Sequence, residues 1–391
     1  MNSININPER LNHLLKLYRL SKEDILLHIN SGLKKHIKEV DIFKAEIKLS
    51  LLKKIDSIFN KGLSYYIDPK ELKESREESI FFRKDKFNAE LSLGAKQIVN
   101  HFEEEKIALS ALSKLSDLKM DRVLPVFTVK KNPKIVADEV RKQLYPDFTK
   151  ERKEFLRSLI NKFADNNILV FEFIETWNKK ERANINGFYL TPNVIVLKRN
   201  QKSFRREIFT LIHELGHYLL NEEEIDEKTS EDLIDYSSLS EVERWCNDFA
   251  YYFLIGDYDS VILNLDQANA KNDYHNALIS TISENTNLST IAIFTRLLIN
   301  NKISQADYKN VVKDIFESIG RREAEIQLER DLQNKKAEEE GRKPGGSTPK
   351  PIQSPLYVKT IQSAFYEGVI NEAEFCRRLN IKADKMVKYL Q

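Results

Sequence analysis

Five consecutive residues, His213-Glu214-Leu215-Gly216-His217, constrain this 391-residue chain more than any other stretch. Residues four apart on an α-helix leave the same face about one turn apart, so both imidazoles can bind one metal ion. Zn²⁺ accepts histidine nitrogens at about 2.0–2.1 Å, and the glutamate beside the first histidine can reach a metal-bound water without itself binding the metal. The pentad therefore predicts a zinc site on a helix, with Glu214 as its general base.

The residues around the pentad predict that this helix is buried. Apolar side chains flank it on both sides: Ile208, Leu211, Ile212, Leu215 and Leu219. Two histidines and a glutamate are costly to bury without a compensating partner, and a metal ion supplies one. Gly216 costs a helix about 1 kcal/mol relative to alanine. We therefore expect Gly216 to allow the close approach of another backbone, a strand edge beside the site.

The two histidines leave a catalytic zinc one ligand short, because such sites have three protein ligands and one open position. Glu243 opens a second amphipathic helix and shares a face with residues further along it: Cys246, Asn247, Ala250 and Leu254. That face is the buried one, so the Glu243 carboxylate can point inward as the third ligand. Ser240-x-x-Glu243 is also a capping box, in which Glu243 only bonds the helix start. Cys246, His275 and other carboxylates are further alternatives.

The chemistry of such a site follows from its residue types. Zinc acidifies its water and polarises a carbonyl oxygen, while Glu214 takes the proton from that water and later delivers it to the leaving amine. Asn247 either supports the ligands or packs in the core, and Cys246 is more typical of a core residue. The residue that stabilises the oxyanion is not identified, since several tyrosines lie nearby in sequence: Tyr218, Tyr236, Tyr251 and Tyr252.

The hydrophobic periodicity predicts an α+β chain that is mostly helical. Residues 168–174, 187–190 and 194–197 have strand patterns, and Thr191-Pro192-Asn193 forms the turn between the last two. Helical patterns follow at 203–220 and 240–254. These elements predict a small antiparallel sheet beside the helix of the pentad.

Composition shifts divide the chain into six segments. Residues 1–66 are a helical domain that begins its second helix at Ser21, with 12 Lys/Arg against 7 Asp/Glu, an excess of +5. The others are a helical connector (67–120), the zinc-binding domain (121–275), a helical domain (276–340), a flexible linker (341–355) and a C-terminal helical pair (356–391). The linker assignment rests on its proline and glycine content, which cannot build a core.

Composition also excludes several classes of protein. The 62 Lys+Arg and 60 Asp+Glu give a net charge of +2, which excludes a uniformly basic nucleic-acid coat. The only cysteines are Cys246 and Cys376, so a disulfide framework is excluded and a reducing compartment is favoured. No apolar run approaches the roughly 20 residues that cross a bilayer, and no signal core opens the chain. We therefore expect a cytoplasmic protein without a membrane partner.

Two segments resemble the ImmA/IrrE metallopeptidases of bacteria and their mobile elements: RREIFTLIHELGH at 205–217 and EVERWCNDFAYYFL at 241–254. The positions that fit the family pattern are Arg206, Phe209, His213, Glu214, His217, Glu243, Cys246, Asn247, Phe249 and Ala250. GFYLTPNVIVLKRN at 187–200 matches the strand pair before the helix. The chain departs from the family at Asn221, where relatives often have histidine, and at Ile255-Gly256, where they often have proline.

The resemblance implies a zincin-like peptidase core flanked by helical domains, with His213, His217 and Glu243 holding Zn²⁺ and Arg206 and Asn247 supporting them. It also implies that residues 8–66 are a degenerate Xre-type helix-turn-helix, followed by a connector that contains Phe82-Arg83-Lys84.

Two functions follow as hypotheses. The first is a zinc endopeptidase that cuts a specific protein target, as the resemblance implies for helix-turn-helix repressors in stress, mobile-element or phage responses. The second is a DNA-binding regulator or toxin–antitoxin component with a structural or vestigial zinc site, motivated by the basic excess in residues 1–66. The presence of Glu214 favours the enzyme, because a purely structural site does not use a general base.

Overall fold

The computed structural model describes residues 3–18, 20–31, 33–59, 61–70, 91–175, 183–199, 203–225, 239–341 and 350–390. Phe82-Arg83-Lys84, Tyr236 and most of the predicted linker lie outside these ranges. The chain forms two compact units, Met1–Ile107 with Lys180–Asn184, and Ala108–Lys179 with Ile185–Gln391.

The first unit is built around its own apolar core. Its elements are β1 (Ser3–Asn5), α1 (Pro8–Leu17), α2 (Lys22–Asn30), α3 (Glu39–Ile42), β2 (Glu46–Lys48), α4 (Leu49–Phe59) and α5 (Leu63–Ile67). Helix α6 (Leu93–Leu115) contains the boundary between the two units. The strands β1 and β2 pair antiparallel with Ile4 opposite Ile47. The sequence predicted only helices here, because strands of three residues are too short to show an alternating pattern.

Helix α2 begins as predicted, with a reciprocal capping box. The hydroxyl of Ser21 accepts from the amide of Asp24 at 3.1 Å, and the Asp24 carboxylate accepts from the amide of Ser21 at 2.8 Å. The following helix, α3, has only four residues. A helix-turn-helix reads the major groove with its second helix. The helix-turn-helix character predicted for residues 8–66 stays a prediction.

The second unit contains a three-stranded sheet surrounded by helices. Its elements before residue 265 are α7 (Pro133–Leu144), α8 (Arg152–Asp165), β3 (Leu169–Ile174), β4 (Gly187–Leu190), β5 (Val194–Arg199), α9 (Phe204–Leu220), α10 (Glu241–Ile255) and α11 (Tyr258–Asn264). Those that follow are a 3-10 segment (Ala270–His275), α12 (Asn276–Thr286), α13 (Thr290–Ile299), α14 (Gln305–Glu339), α15 (Pro355–Tyr366), α16 (Glu372–Leu379) and a second 3-10 segment (Ala383–Tyr389). The predicted α+β class is confirmed.

The sheet differs from the prediction in one respect, because it is mixed rather than antiparallel. Its strand order is β3-β5-β4, with β3 parallel to β5 and β4 antiparallel to β5. The turn at Thr191-Pro192-Asn193 joins β4 to β5 as predicted. The direction of β3 was not readable from its own residues, since an apolar run reads the same in a parallel or an antiparallel sheet.

Helix α9 lies at the centre of this unit. It packs against β4 and β5 on one side and against α10 on the other, and α7 packs against the far side of α10. On the opposite face of the sheet, the rings of Phe171 and Tyr357 lie 5.7 Å apart, so the C-terminal helix α15 packs against the sheet. Among the residues that the structure describes, no helix combines the length and apolarity needed to cross a bilayer.

Candidate metal centre

Helix α9 carries the predicted pentad and is buried along almost its whole length. It begins at Ser203, whose hydroxyl accepts from the amide of Arg206 at 3.3 Å. His213, Glu214 and His217 are each at most 2% exposed. The expected burial of two histidines and a glutamate is therefore observed, and the cost of that burial requires local partners.

Asn221 ends helix α9 in the left-handed conformation, with φ 54°. Its side-chain oxygen accepts from the hydroxyls of Tyr189 at 3.0 Å and of Thr191 at 3.2 Å. Asparagine tolerates this backbone conformation better than most residues. The departure from the family pattern at Asn221 therefore has a structural role, since it stops the helix and ties it to strand β4 and the turn after it.

A buried ion-pair network anchors the other end of α9. Arg199, at the end of β5, forms an ion pair with Glu207 in the first turn of α9 and lies 3.8 Å from Glu172 of β3. The same carboxylate oxygen of Glu172, Oε2, accepts from the amide of Ile352 at 2.6 Å. Sequence reasoning missed these residues, because charged residues in strand patterns give no signal of their partners.

Helices α9 and α10 approach each other closely at Gly216. A Cβ atom on Gly216 would lie 3.0 Å from the Sγ of Cys246 and 3.2 Å from its Cα. The prediction of close approach is confirmed, but the predicted neighbour was wrong: it is helix α10 and not a strand edge. This contact brings the face of α10 that carries Glu243 against the face of α9 that carries the histidines.

The predicted ligand set comes together at this contact. The Nε2 atom of His213 lies 3.2 Å from the Oε2 of Glu243, and the Nε2 of His217 lies 3.1 Å from its Oε1. The two histidine Nε2 atoms are 3.2 Å apart. In the described part of the chain, His213, His217 and Glu243 form a buried group whose ligand atoms all lie within 4.8 Å of one another, close enough to hold a metal ion.

These separations fit a tetrahedral metal ion. Ligands at about 2.0–2.1 Å from a tetrahedral centre lie about 3.3 Å from one another. Two nitrogens and a carboxylate so close together in a buried site repel one another unless a proton or a cation lies among them. The donor types, two imidazoles and one carboxylate, are those that zinc takes in hydrolase sites. The residues present therefore fit a zinc ion.

Asn247 orients the first histidine. Its side-chain oxygen lies 3.0 Å from the Nδ1 of His213 and accepts the proton carried there. In the neutral imidazole, that bond places the proton on Nδ1, so the lone pair of Nε2 faces Glu243 and His217, as a metal ligand requires. This contact is the one that the supporting interpretation of Asn247 expects, and that role stays a prediction.

Glu243 both opens helix α10 and faces the histidines. The Ser240 hydroxyl accepts from the backbone amide of Glu243 at 3.1 Å, so Ser240 is the cap. Burial would raise the pKa of the Glu243 carboxyl, but His213 and His217 more than offset that effect and hold it below its ordinary value. The carboxylate is therefore ionised and available as a ligand.

The alternative third ligands lie outside this group. Burial raises the pKa of the Cys246 thiol to about 11, and Cys246 is not a member of the group of His213, His217 and Glu243. His275 belongs to the 3-10 segment, and its Nε2 lies 3.2 Å from the carbonyl oxygen of Asp266. Arg206 lies in the first turn of α9, where its amide takes part in the cap. Its predicted supporting role stays a prediction.

The tyrosines considered as oxyanion stabilisers have other surroundings. Arg122 stacks on the ring of Tyr218, 3.8 Å from its centroid. The hydroxyl of Tyr251 donates to Asp259 at 3.4 Å. Arg296 lies over Tyr252 at 5.0 Å. These contacts explain the packing of the three tyrosines without reference to the site.

An α+β core in which one helix supplies two histidines and the next supplies a glutamate is an arrangement typical of metallopeptidases. Residues 165–297 match the family model Peptidase M78, described as the IrrE N-terminal-like domain. This part of the chain is therefore similar to the IrrE N-terminal-like domain, which confirms the resemblance to the ImmA/IrrE family. The comparison with curated proteins and the comparison with solved structures gave no match.

Proposed function

We propose that this protein is a zinc-dependent endopeptidase that hydrolyses peptide bonds in a specific protein target. The observation that carries the proposal is the convergence of His213, His217 and Glu243 at tetrahedral separations, beside a buried Glu214 that is not part of the ligand group. A structural zinc site is closed by its fourth ligand. Three ligands and an adjacent carboxyl group are typical of a hydrolytic site.

The residues of the chain would divide the reaction as follows. His213, His217 and Glu243 would hold the zinc ion, which, when bound, acidifies a water molecule and polarises the scissile carbonyl. Glu214 would accept a proton from the attacking water and return it to the leaving amine. Asn247 would keep the imidazole of His213 in the tautomer that presents Nε2 to the metal.

The target that we propose is a helix-turn-helix repressor or another protein encoded beside this one, with a role in stress, mobile-element or phage responses. The support is the match of residues 165–297 to the IrrE N-terminal-like domain, together with the resemblance of the motifs to the ImmA/IrrE family. Residues 1–107 of the first unit, which lie outside the matched residues, would then dock the target or sense the signal.

The test is to incubate the zinc-loaded protein with the product of the neighbouring reading frame and to follow cleavage by mass spectrometry. We expect wild-type protein and a Glu241→Gln control, which changes an exposed acid on helix α10, to cut at the same bond. We expect Glu214→Gln to bind zinc and not to cut. Equal cleavage by Glu214→Gln would overturn the proposal.

A second candidate function is DNA binding by residues 1–66. Lys34, Lys35 and Lys38 are exposed on the segment that precedes helix α3, which is consistent with the basic excess of this region. Phosphate contacts make binding steeply salt-dependent, with a log–log slope of about −0.9 per phosphate neutralised. Fluorescence anisotropy of a labelled duplex at low and moderate salt tests this candidate, and a flat titration excludes it.

A further inference from the structure

Gly187, the first residue of strand β4, lies against the helix that carries Glu214. A Cβ atom on Gly187 would lie 2.8 Å from the Cγ2 of Thr210 and 3.1 Å from the Cγ of Glu214. It would also lie 3.1 Å from the carbonyl oxygen of Val196 on the neighbouring strand β5. The position therefore has no room for a side chain.

The requirement for glycine here is one of space and not of backbone conformation. Gly62, Gly256, Gly341 and Gly368 are the described glycines with left-handed φ values. Gly187 is not among them, and it pairs with Leu197 in the regular antiparallel register of β4 and β5. An alanine could adopt this backbone without strain, so what excludes it is its contacts with Thr210 and Glu214 of helix α9 and with the carbonyl oxygen of Val196.

The faces of α9 explain which groups meet Gly187. Thr210 and Glu214 are four residues apart and share one face of the helix, which turns toward β4. His213 and His217 share a neighbouring face, which turns toward Glu243 on α10. Helix α9 therefore presents the metal ligands to one neighbour and the general base to the other.

We propose that Gly187 is a positioning residue for Glu214, and this inference rests on the proposed function. Because β4 carries no side chain at this point, the strand lies directly beside the Cγ of Glu214 and limits where its carboxylate can go. The same absence lets the backbone of β4 approach the helix closely. A displacement of about 1 Å in a reacting group costs on the order of 100-fold in rate.

The experiment compares Gly187→Ala, Thr210→Ser and the double variant Gly187→Ala/Thr210→Ser. Gly320→Ala is the matched control, because no atom lies within 4 Å of a Cβ at that position of helix α14. Each protein is loaded with Co²⁺ in place of zinc, and its visible spectrum is titrated against pH. This readout follows ionisation at the metal without any substrate, and Glu214→Gln defines how it responds to the loss of the general base.

We expect Gly187→Ala to bind Co²⁺ like the wild type, because no metal ligand lies among the nearest contacts of the added Cβ. The variant should melt at a lower temperature. Its titration should shift in the direction of that of Glu214→Gln. Thr210→Ser removes the methyl that lies 2.8 Å away, the shortest of the three contacts, so the double variant should regain part of the lost melting temperature. Its titration should stay shifted, since the contact with Glu214 remains. Turnover of a cleaved target should fall by roughly 10- to 100-fold in both variants with Gly187→Ala.

Two outcomes overturn the inference. The first is a Gly187→Ala titration that coincides with that of the wild type, and the second is a double variant in which titration and melting temperature recover together. Should Gly187→Ala not fold, the comparison of Thr210→Ser with the double variant decides. Absence of cleavage by wild-type protein would contradict the proposed function, while the Co²⁺ titration would still decide the role of Gly187.

Discussion

The side-chain oxygen of Asn247 lies 3.0 Å from the Nδ1 of His213, although 34 residues separate them along the chain. This bond joins helix α10 to helix α9 at the site itself. It selects the tautomer of His213 and fixes the orientation of its ring. Asn247 and Glu243 are one turn apart on α10, so the helix that supplies the third ligand also orients the first.

Asn247→Ala should weaken zinc binding by about 10- to 100-fold, because the ring of His213 would lose its orienting acceptor. The measurement is competition against a chromophoric zinc chelator. Arg244→Ala, an exposed position on the same helix, should bind zinc like the wild type. Equal affinities for Asn247→Ala and Arg244→Ala would contradict the role given to Asn247.

Each of the three ligand positions should be required for metal binding. Alanine at His213, His217 or Glu243 should leave a protein that retains no zinc after repletion and dialysis, as measured by elemental analysis. His275→Ala is the matched control, since His275 bonds in the 3-10 segment and not at the site. Zinc retained by all three ligand variants would show that the metal binds elsewhere.

Gly216→Ala should destabilise the protein although alanine favours a helix by about 1 kcal/mol. The added methyl would lie 3.0 Å from the Sγ of Cys246 and 3.2 Å from its Cα, and overpacking of this kind costs about 1–3 kcal/mol. It should also weaken zinc binding, because it forces helices α9 and α10 apart.

The control for that substitution is Gly320→Ala on helix α14, because a Cβ added at that position would have no neighbouring atom within 4 Å. It should stabilise the protein or leave it unchanged. Urea unfolding of both variants measures the difference, and destabilisation by Gly320→Ala as large as that by Gly216→Ala would rule out the packing explanation.

Glu172 should make stability depend on pH. Burial raises the pKa of its carboxyl from 4.5 to about 7, against the opposing effects of the Ile352 amide and Arg199. The folded state then holds a proton that the unfolded state releases, so this contribution to stability is greatest below pH 4.5 and is lost as the pH rises to 7. The loss should be about 1–3 kcal/mol.

Urea unfolding at several pH values between 4.5 and 8 tests this expectation with Glu172→Gln, which remains uncharged throughout. The free energy of unfolding of the wild type should fall relative to that of Glu172→Gln as the pH rises. Glu139→Gln, at an exposed ion pair with Lys131, is the control. Parallel curves for wild type and Glu172→Gln would contradict the pKa given for Glu172.

The site was readable from the sequence where its chemistry depends on spacing within one helix. The geometry of a single helix brings His213, Glu214 and His217 close together, independently of the rest of the fold. The apolar residues around them predicted that this helix is buried. Glu243 was harder, because Ser240-x-x-Glu243 fits a cap as well as a ligand. In the structure the backbone amide of Glu243 serves the cap and its carboxylate faces the histidines.

What the sequence by itself determined is therefore local: the helices and strands of the metal-binding region, the pentad and the burial of its helix. What only the tertiary structure decided is which surfaces meet. Gly216 faces Cys246 and not a strand, Gly187 faces Glu214, and β3 runs parallel to β5. Helix and strand periodicity depends on residues a few positions apart, whereas these contacts join residues far apart in the chain, and no local pattern encodes that choice.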